Sequence, residues 1–182
     1  TPAYAAADIV RDLAPGAAQA LAAIEYAPIA VVAAAFRRAD VVHSCEGFGF
    51  LVPRKERRKV LGSLFSTSMF AHRGPEGTVL FTTFAGGRRD PEIAAMADDA
   101  VVRIVLGELE ALVGAAGTPL WTEVVRWPQA IPQYDLGHLA RIGRLEQAER
   151  ELPGLLFCAN YKGGVSVSDC IKNGHGVAAT LA

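Results

Sequence analysis

The glycine pair Gly163-Gly164 and the residues that follow it are the stretch whose types and spacing most clearly indicate a binding site. An apolar run that begins at Gly154 predicts a buried strand before the pair, and a new helix is predicted after it. At such a junction several backbone N–H groups lack acceptors, and the positive end of the helix dipole lies behind them. The junction is therefore predicted to bind an electron-rich group.

The other reactive side chains form no catalytic or metal-binding pattern. Histidines occur at His43, His72, His138 and His175, and cysteines at Cys45, Cys158 and Cys170. No nucleophile elbow, no CxxC pair and no two ligands four residues apart on a helix face occur among them. We therefore nominate no catalytic acid, base or nucleophile and no metal ligand.

Composition limits the class of partner. The 182 residues are 51% hydrophobic and 20% charged, with a formal net charge of -1 and a pI near 6.4. This balance provides no basic field for nucleic acid, which is excluded as a partner. The most apolar window, Ile29 to Phe36, is too short to cross a bilayer. Three cysteines without a disulfide pattern predict reduced thiols and a cytoplasmic location.

The elements that must position the site predict an α+β fold. A buried strand at Ile29 to Phe36 is followed by apolar runs at Phe48 to Val52, Val60 to Ser66 and Thr78 to Phe84, which predict an antiparallel sheet. Helices with one apolar face are predicted after Asp98 and from about Gly137 to Glu151, and they would cover the sheet or pack beside it.

Four segments follow from this division. Residues 1–26 are a helical lead-in, 27–126 an α+β domain, to which the resemblance described below gives a substrate-binding role, 127–153 a connecting turn and helix, and 154–182 a strand and helix. The prolines between Trp127 and Tyr134 predict irregular structure there. The two chain ends look like parts of a separate α/β layer, which the C-terminal strand and helix would complete.

The basic run from Arg54 to Lys59 has two interpretations. A lone charge run of this kind is usually a solvated hairpin tip. The alternative is a patch that contacts an acidic lipid surface or a partner, so peripheral membrane contact stays open.

Three motifs, in this order along the chain, resemble the C-terminal half of the FAD-dependent protoporphyrinogen oxidases, which are relatives of the monoamine oxidases. They are Gly47-Phe48-Gly49-Phe50-Leu51-Val52-Pro53, then Ala130-Ile131-Pro132-Gln133-Tyr134-Asp135-Leu136-Gly137-His138, then Tyr161-Lys162-Gly163-Gly164-Val165-Ser166-Val167-Ser168-Asp169-Cys170-Ile171. The resemblance covers nearly the whole chain and makes the C-terminal layer an FAD-binding one.

The resemblance implies FAD as cofactor and two sets of site residues. The set that would contact the flavin is Gly164, Val165, Ser166, Val167 and Trp127. The set that would line the tetrapyrrole pocket is Phe48, Leu51, Leu64 and Phe84. Periodicity alone leaves the second set equally open to core packing.

The implied activity is oxidation of protoporphyrinogen IX to protoporphyrin IX, with hydride passing to flavin N5 and electrons onward to oxygen. One alternative is an amine-oxidase-like FAD oxidoreductase of the same superfamily. The other is a detached, non-catalytic tetrapyrrole-binding domain. Preference between protoporphyrinogen and coproporphyrinogen, and the presence of a homodimer, stay open.

The chain lacks a Gly-x-Gly-x-x-Gly after a strand, the pyrophosphate cradle of dinucleotide-binding proteins. Because it also opens on Thr1-Pro2 without a methionine, we expect a fragment whose partner is the N-terminal FAD-binding half of the same protein. We expect that the chain alone neither holds FAD tightly nor turns over.

Overall fold

A computed structural model of the chain describes residues 1–70 and 72–181. Two compact units are present. The terminal unit comprises Thr1–Tyr26 and Ile131–Ala182, and the sheet unit comprises Ala27–Ala130. The assignment of substrate binding and flavin contact to separate segments stays a prediction.

An antiparallel sheet dominates the fold, and the predicted α+β class is confirmed. The strands assigned among the described residues are β1 (Tyr26–Arg37), β2 (Gly49–Leu51), β3 (Val60–Phe65), β4 (Thr78–Gly86) and β5 (Trp121–Pro132). Their order across the sheet is β2-β3-β4-β1-β5. Antiparallel ladders join β2 to β3, β3 to β4 and β4 to β1, as the alternating apolar runs predict.

Helices account for most of the remaining regular structure. They are α1 (Ala3–Ile9), α2 (Pro15–Ala22), α3 (Ser66–Met69), α4 (Asp98–Val113), α5 (His138–Glu151) and α6 (Val167–Ala179). Short 3-10 turns occupy Arg38–Asp40, Arg54–Glu56 and Pro91–Ala95. Helix α4 ends at Gly114, which adopts the left-handed conformation with φ +63° that is typical of a helix C-cap.

One face of the sheet is buried against α4. The buried residues of α4 recur every four positions, at Val101, Val105, Leu109 and Val113, and belong to one core cluster with alternate residues of β4. Phe81 of β4 is fully buried, with its ring centroid 6.0 Å from that of Phe36 and 5.9 Å from that of Phe65. This packing fixes which residues face the opposite side.

The prediction of irregular structure after Trp127 is wrong. Strand β5 continues through Pro128 to Pro132. A proline cannot donate a backbone hydrogen bond and so is excluded from central strands, but an edge strand has one side that needs no donor. Because β5 is the last strand in the sheet order, it accommodates both prolines.

The terminal unit has its own core. Leu21 of α2, Leu145 of α5 and the side chains of Phe157 and Tyr161 are buried together. Many of the remaining core residues of α1 and α2 are alanines, and these small side chains allow the helices to approach closely.

The predicted C-terminal strand does not form, whereas the helix after the glycine pair does. Residues 155–158 have no regular secondary structure. An extended segment becomes a strand only by pairing with another, and no strand of the described residues pairs with this one. Similarly, α6, all of which is described, has no buried residue. In the part of the chain that the structure describes, residues 155–158 therefore have no strand partner, and α6 has no covering layer.

Candidate functional site

The glycine pair is required by close approach of α6. Gly163 has φ +84° and Gly164 has φ +131°, both in the region that favours glycine. A Cβ on Gly164 would lie 2.5 Å from Oδ2 of Asp169, and a Cβ on Gly163 would lie 2.7 Å from Nδ2 of Asn173. The turn can pass this close to α6 only without side chains.

A capping box fixes the start of α6. The hydroxyl oxygen of Ser166 accepts the backbone N–H of Asp169 at 3.0 Å, and the Asp169 carboxylate accepts the Ser166 hydroxyl at 2.6 Å and its backbone N–H at 3.3 Å. The hydrogen bond from the Ser166 side chain, followed by that from its backbone, lowers the pKa of Asp169. Asp169 is therefore a structural cap of α6.

The capping box leaves two N–H groups available at the positive end of α6. Ser166 and Asp169 use theirs within the box, and Gly164 donates its N–H to the hydroxyl of Tyr134 at 3.2 Å. The first-turn N–H groups of Val167 and Ser168 have no acceptor within the helix. We define these two groups as the free donor pair. They can donate hydrogen bonds to an anion or a carbonyl oxygen from outside the helix.

The predicted flavin-contacting residues differ in whether their backbone N–H groups are available to a ligand. Val167 retains an available donor and is 77% exposed, whereas the N–H groups of Gly164 and Ser166 are already engaged. Ser168 was missed by the sequence argument. The spacing of Ser166 and Asp169, which is typical of a capping box, is the signal that could have found it.

The support beneath the turn comes from the start of α5. The ring of Tyr134 stacks on that of His138, with centroids 4.1 Å apart and planes 13° apart. His138 is buried, and its Nε2 lies 3.0 Å from the carbonyl oxygen of Tyr161. His138 is thus a hydrogen-bonded residue at the start of α5. The contact of Tyr134 with Gly164 was not predicted from the sequence.

The predicted tetrapyrrole-lining residues lie on or beside the face of the sheet opposite α4, which we call the open face. Register places Leu51 opposite Gly62 and Gly62 opposite Phe84, while Leu64 lies opposite Gly49. Phe81 and Phe65, one residue or three away along their strands, face the core. Because side chains alternate along strands, Leu51, Leu64 and Phe84 point to the open face.

Phe48 and Leu51 are the most exposed of this predicted set. Leu51 is 88% exposed and Phe48, just before β2, is 78% exposed, while Leu64 and Phe84 are half-buried. Phe48 lies outside the regular alternation because Gly49 has φ +137°. The interpretation of these residues as core packing is wrong for Phe48 and Leu51, and their role in a pocket stays a prediction.

Trp127 belongs to the sheet unit, whereas Gly164 to Val167 belong to the terminal unit. Val124 packs against the core, and Arg126 donates to the carbonyl oxygens of Ala94 and Met96 on the α4 side. Alternation therefore directs Trp127, which is 56% exposed, to the open face. A flavin contact for Trp127 stays a prediction, while its placement with the apolar residues of that face is a finding.

The basic run is partly neutralised. Arg58 lies 3.6 Å from Glu108 and Lys59 lies 3.6 Å from Asp90. The exposed side chains that remain are Arg54, Lys55 and Arg57, and Arg57 has φ +52° at the hairpin tip. No group of three or more His, Cys, Asp or Glu side chains suited to a metal occurs within residues 1–70 and 72–181. Nor does any helix in those ranges have the length and apolarity needed to cross a bilayer.

The whole chain, residues 1–182, matches the model of one family, the flavin containing amine oxidoreductases. The chain belongs to this family. The predicted resemblance is therefore confirmed, and the expectation of FAD agrees with a flavin-containing family.

Relatives within the family are more specific. The mitochondrial protoporphyrinogen oxidase of Nicotiana tabacum is 38% identical over 154 residues, which are 83% of this chain and 31% of that protein. The chloroplastic enzyme of the same plant is 33% identical over 99% of this chain and 35% of its own length. The coproporphyrinogen III oxidase of Bacillus subtilis is 31% identical over 80% of this chain and 31% of its own length. The chain thus spans about a third of the length of these relatives.

The fold is shared with a solved structure. The crystal structure of a putative protoporphyrinogen oxidase from Exiguobacterium sp. superposes with a TM-score of 0.76 and 22% identity. The alignment covers 100% of this chain and 39% of that one. This likeness supports the α+β architecture.

Proposed function

We propose that the chain is the ligand-binding and flavin-contacting part of an FAD-dependent oxidase that converts protoporphyrinogen IX to protoporphyrin IX. The observation that carries the proposal is the free donor pair of Val167 and Ser168, at the start of α6 in a chain of a flavin-containing family. Relatives named protoporphyrinogen oxidases, 33% and 38% identical to this chain, support the substrate class.

The residues at the start of α6 fit the pyrimidine edge of a flavin. When bound, FAD would supply the redox chemistry by taking up a hydride from the substrate and passing electrons to oxygen. Val167 and Ser168 would donate backbone hydrogen bonds to the negative charge that develops on that edge. The helix dipole would add to this stabilisation, and the capping box of Ser166 and Asp169 would hold the donors in place.

The open face of the sheet suits a flat, apolar ligand. Leu51, Leu64, Phe84 and Trp127 present aliphatic and aromatic surface on one side of the sheet. Apolar walls of this kind bind by removing the ligand from water and leave the chemistry to the cofactor. This arrangement agrees with a chain in which we nominate no catalytic acid or base.

Substrate comparison tests the proposal. The full-length protein, loaded with FAD in air, is given protoporphyrinogen IX, coproporphyrinogen III and a primary amine in separate assays, and oxygen uptake is recorded. We expect the largest kcat/KM with protoporphyrinogen IX. A preference for coproporphyrinogen III would keep the reaction class and change the substrate, whereas a preference for the amine would support the amine-oxidase alternative and overturn the proposal.

Partners form a second part of the proposal. The N-terminal FAD-binding half of the same protein would cover α6, whose side chains are unburied, and would supply the pyrophosphate cradle. A detached tetrapyrrole-binding domain is the alternative, and the gene sequence upstream of Thr1 distinguishes the two. If the first is right, the chain alone binds FAD more weakly than micromolar in a flavin fluorescence titration.

Membrane and subunit contacts complete the proposal. Arg54, Lys55 and Arg57 would give the β2–β3 hairpin affinity for an acidic lipid surface. We also propose a cytoplasmic location peripheral to a membrane, which agrees with the free thiols of Cys45 and Cys158. A homodimer is a further part of the proposal. Sedimentation with anionic and with neutral vesicles tests the lipid contact, because only the anionic vesicles should retain the protein.

A further inference from the structure

We propose that Tyr134 is a positioning residue whose hydroxyl fixes the Gly163-Gly164 turn and thereby sets the direction of the free donor pair. The geometry of the turn stands independently of any ligand. The last step, that a flavin is the group which the donors face, rests on the proposed function.

The Tyr134 hydroxyl makes two hydrogen bonds that bridge the turn. It accepts the backbone N–H of Gly164 at 3.2 Å and donates to the carbonyl oxygen of Asn160 at 2.8 Å. A phenol has one O–H to donate and lone pairs to accept. The hydroxyl therefore donates its proton to Asn160, before the glycine pair, and uses a lone pair to accept from Gly164, the second glycine of the pair.

The ring that carries this hydroxyl is held in place by His138. The two rings are stacked, and His138 is buried with Nε2 3.0 Å from the Tyr161 carbonyl oxygen. A carbonyl can only accept, so Nε2 carries the proton. His138 thus donates to the residue that follows Asn160. Together, Tyr134 and His138 hydrogen-bond the consecutive carbonyl groups of Asn160 and Tyr161.

Other side chains anchor the same segment without bridging the turn. The Asn173 amide donates to the Lys162 carbonyl oxygen at 2.8 Å, and the Lys162 ammonium lies 2.9 Å from both carboxylate oxygens of Glu149. These contacts end at Lys162. Tyr134 extends the support to Gly164, two residues before the start of the capping box at Ser166.

The position of Gly164 makes this support directional. Its φ of +131° is a conformation that side chains rarely adopt and that a glycine leaves easily. Loss of the Tyr134 hydroxyl would free this backbone to rotate, while Ser166 and Asp169 keep their own hydrogen bonds. The capping box would keep the donors in place within α6, but the orientation of α6 relative to Tyr134 would no longer be fixed.

The variant Tyr134→Phe tests the structural step on the chain itself. It keeps the ring that stacks on His138 and removes only the hydroxyl. We expect solvent exchange of the Gly164 amide, measured by NMR, to accelerate about fivefold, the factor that corresponds to one hydrogen bond of ordinary net strength. Exchange at Leu145 in the core should not change. Tyr4→Phe, which removes a phenolic hydroxyl from α1, is the matched control and should leave both amides unchanged.

The functional step is tested on the full-length, FAD-loaded protein. Tyr134→Phe should shift the flavin absorption spectrum and midpoint potential and lower kcat, with KM for the porphyrinogen unchanged because the open face is intact. A merely structural role would lower the folded fraction without shifting the potential of the folded protein. His138→Gln loses the ring stack but retains an N–H donor. It should shift the flavin spectrum and the midpoint potential in the same direction as Tyr134→Phe does.

Each of these measurements has an outcome that would overturn one step of the proposal. Unchanged exchange at Gly164 in Tyr134→Phe overturns the bridging role. Faster exchange with an unaltered flavin spectrum and potential overturns the positioning role. If the wild-type full-length protein binds no FAD, the proposed function itself fails, and the wild-type measurement alone reveals this before any variant is compared.

Discussion

The phenolic oxygen of Tyr134 lies 3.2 Å from the backbone nitrogen of Gly164, thirty positions later in the chain, and accepts its N–H. This contact engages the N–H of Gly164, so that donor is not available to a cofactor. Together with the capping box of Ser166 and Asp169, it leaves the N–H groups of Val167 and Ser168 as the available donors in the first turn of α6. In the proposal, the turn is the support and the first turn of α6 is the binding element.

Gly164→Ala should disrupt this support. The new Cβ would meet the Asp169 carboxylate at 2.5 Å, and φ +131° is strained for alanine, so we expect a loss of about 1–3 kcal/mol of stability. Thermal unfolding followed by circular dichroism measures it.

Gly176→Ala is the matched control for that substitution. A Cβ at Gly176 would meet nothing within 4 Å, and alanine favours helix by up to about 1 kcal/mol over glycine. We expect a small gain in stability. Equal effects at Gly164 and Gly176 would contradict the account of the turn.

Acid should loosen the start of α6. The Ser166 hydrogen bonds lower the pKa of Asp169 in the folded chain, so their stabilisation is fully present above the range where an ordinary aspartate titrates. It is lost as pH falls below about 4. Amide exchange of Asp169 and Cys170, measured by NMR from pH 6 to pH 2.5, should accelerate in this window. A Ser166→Ala chain should show fast exchange throughout, and an acid-independent wild type would speak against the capping box.

Alkali should destabilise the terminal unit. Burial raises the pKa of Tyr161 to about 12 and also raises the pKa of Tyr26. A raised pKa means that the neutral phenol stabilises the fold below about pH 10, where an unfolded tyrosine titrates, and that this contribution is lost between about pH 10 and 12. The thermal midpoint should fall over this range.

Two variants separate the source of the alkaline effect. Tyr161→Phe should flatten the fall of the thermal midpoint because the buried hydroxyl is gone. Tyr4→Phe, at a ring 5.2 Å from that of Tyr26, should retain the full fall. The interpretation fails if Tyr161→Phe and the wild type lose stability in parallel.

The two faces of β4 should respond to substitution in different ways. Phe81→Ala empties a fully buried site and should cost about 3–5 kcal/mol of stability. Phe84→Ser, on the open face, should change stability little and raise KM for the porphyrinogen in the full-length protein. Urea unfolding and steady-state kinetics on the same pair measure both effects. A large stability loss with unchanged KM for Phe84→Ser would remove the open face from the substrate site.

Much of the fold could be predicted from local sequence patterns. Alternating apolar runs located β2, β3 and β4, and a stripe with four-residue spacing located α4. A strand over Thr122 to Arg126 is predicted from sequence, but its continuation to Pro132 was missed, because Pro128 and Pro132 were judged without knowledge of the sheet order, which only long-range pairing sets. In α5 the apolar spacing predicts Leu145 and Leu139 on the inward face. Leu145 is buried, but Leu139 is 85% exposed and His138 is buried instead, because packing at the start of the helix overrides hydropathy.

The candidate site was predictable in part. The helix start after Gly163-Gly164 follows from local sequence, and the capping box could have been read from Ser166 and Asp169. The bridge from Tyr134 could not, because nothing in local sequence joins residues thirty positions apart. Likewise, the exposure of Leu51 depends on which face of the sheet α4 covers.

The most direct test of the central claim is an anaerobic single turnover of the full-length, FAD-loaded protein with protoporphyrinogen IX. Flavin absorbance and porphyrin fluorescence are followed together after rapid mixing. The account predicts that the substrate bleaches the oxidised flavin in a two-electron step, and that porphyrin fluorescence appears only after oxygen is admitted, because the full conversion removes six electrons and the flavin must be reoxidised between steps. Porphyrin formation with the flavin still oxidised, or no bleaching with saturating substrate, would contradict it.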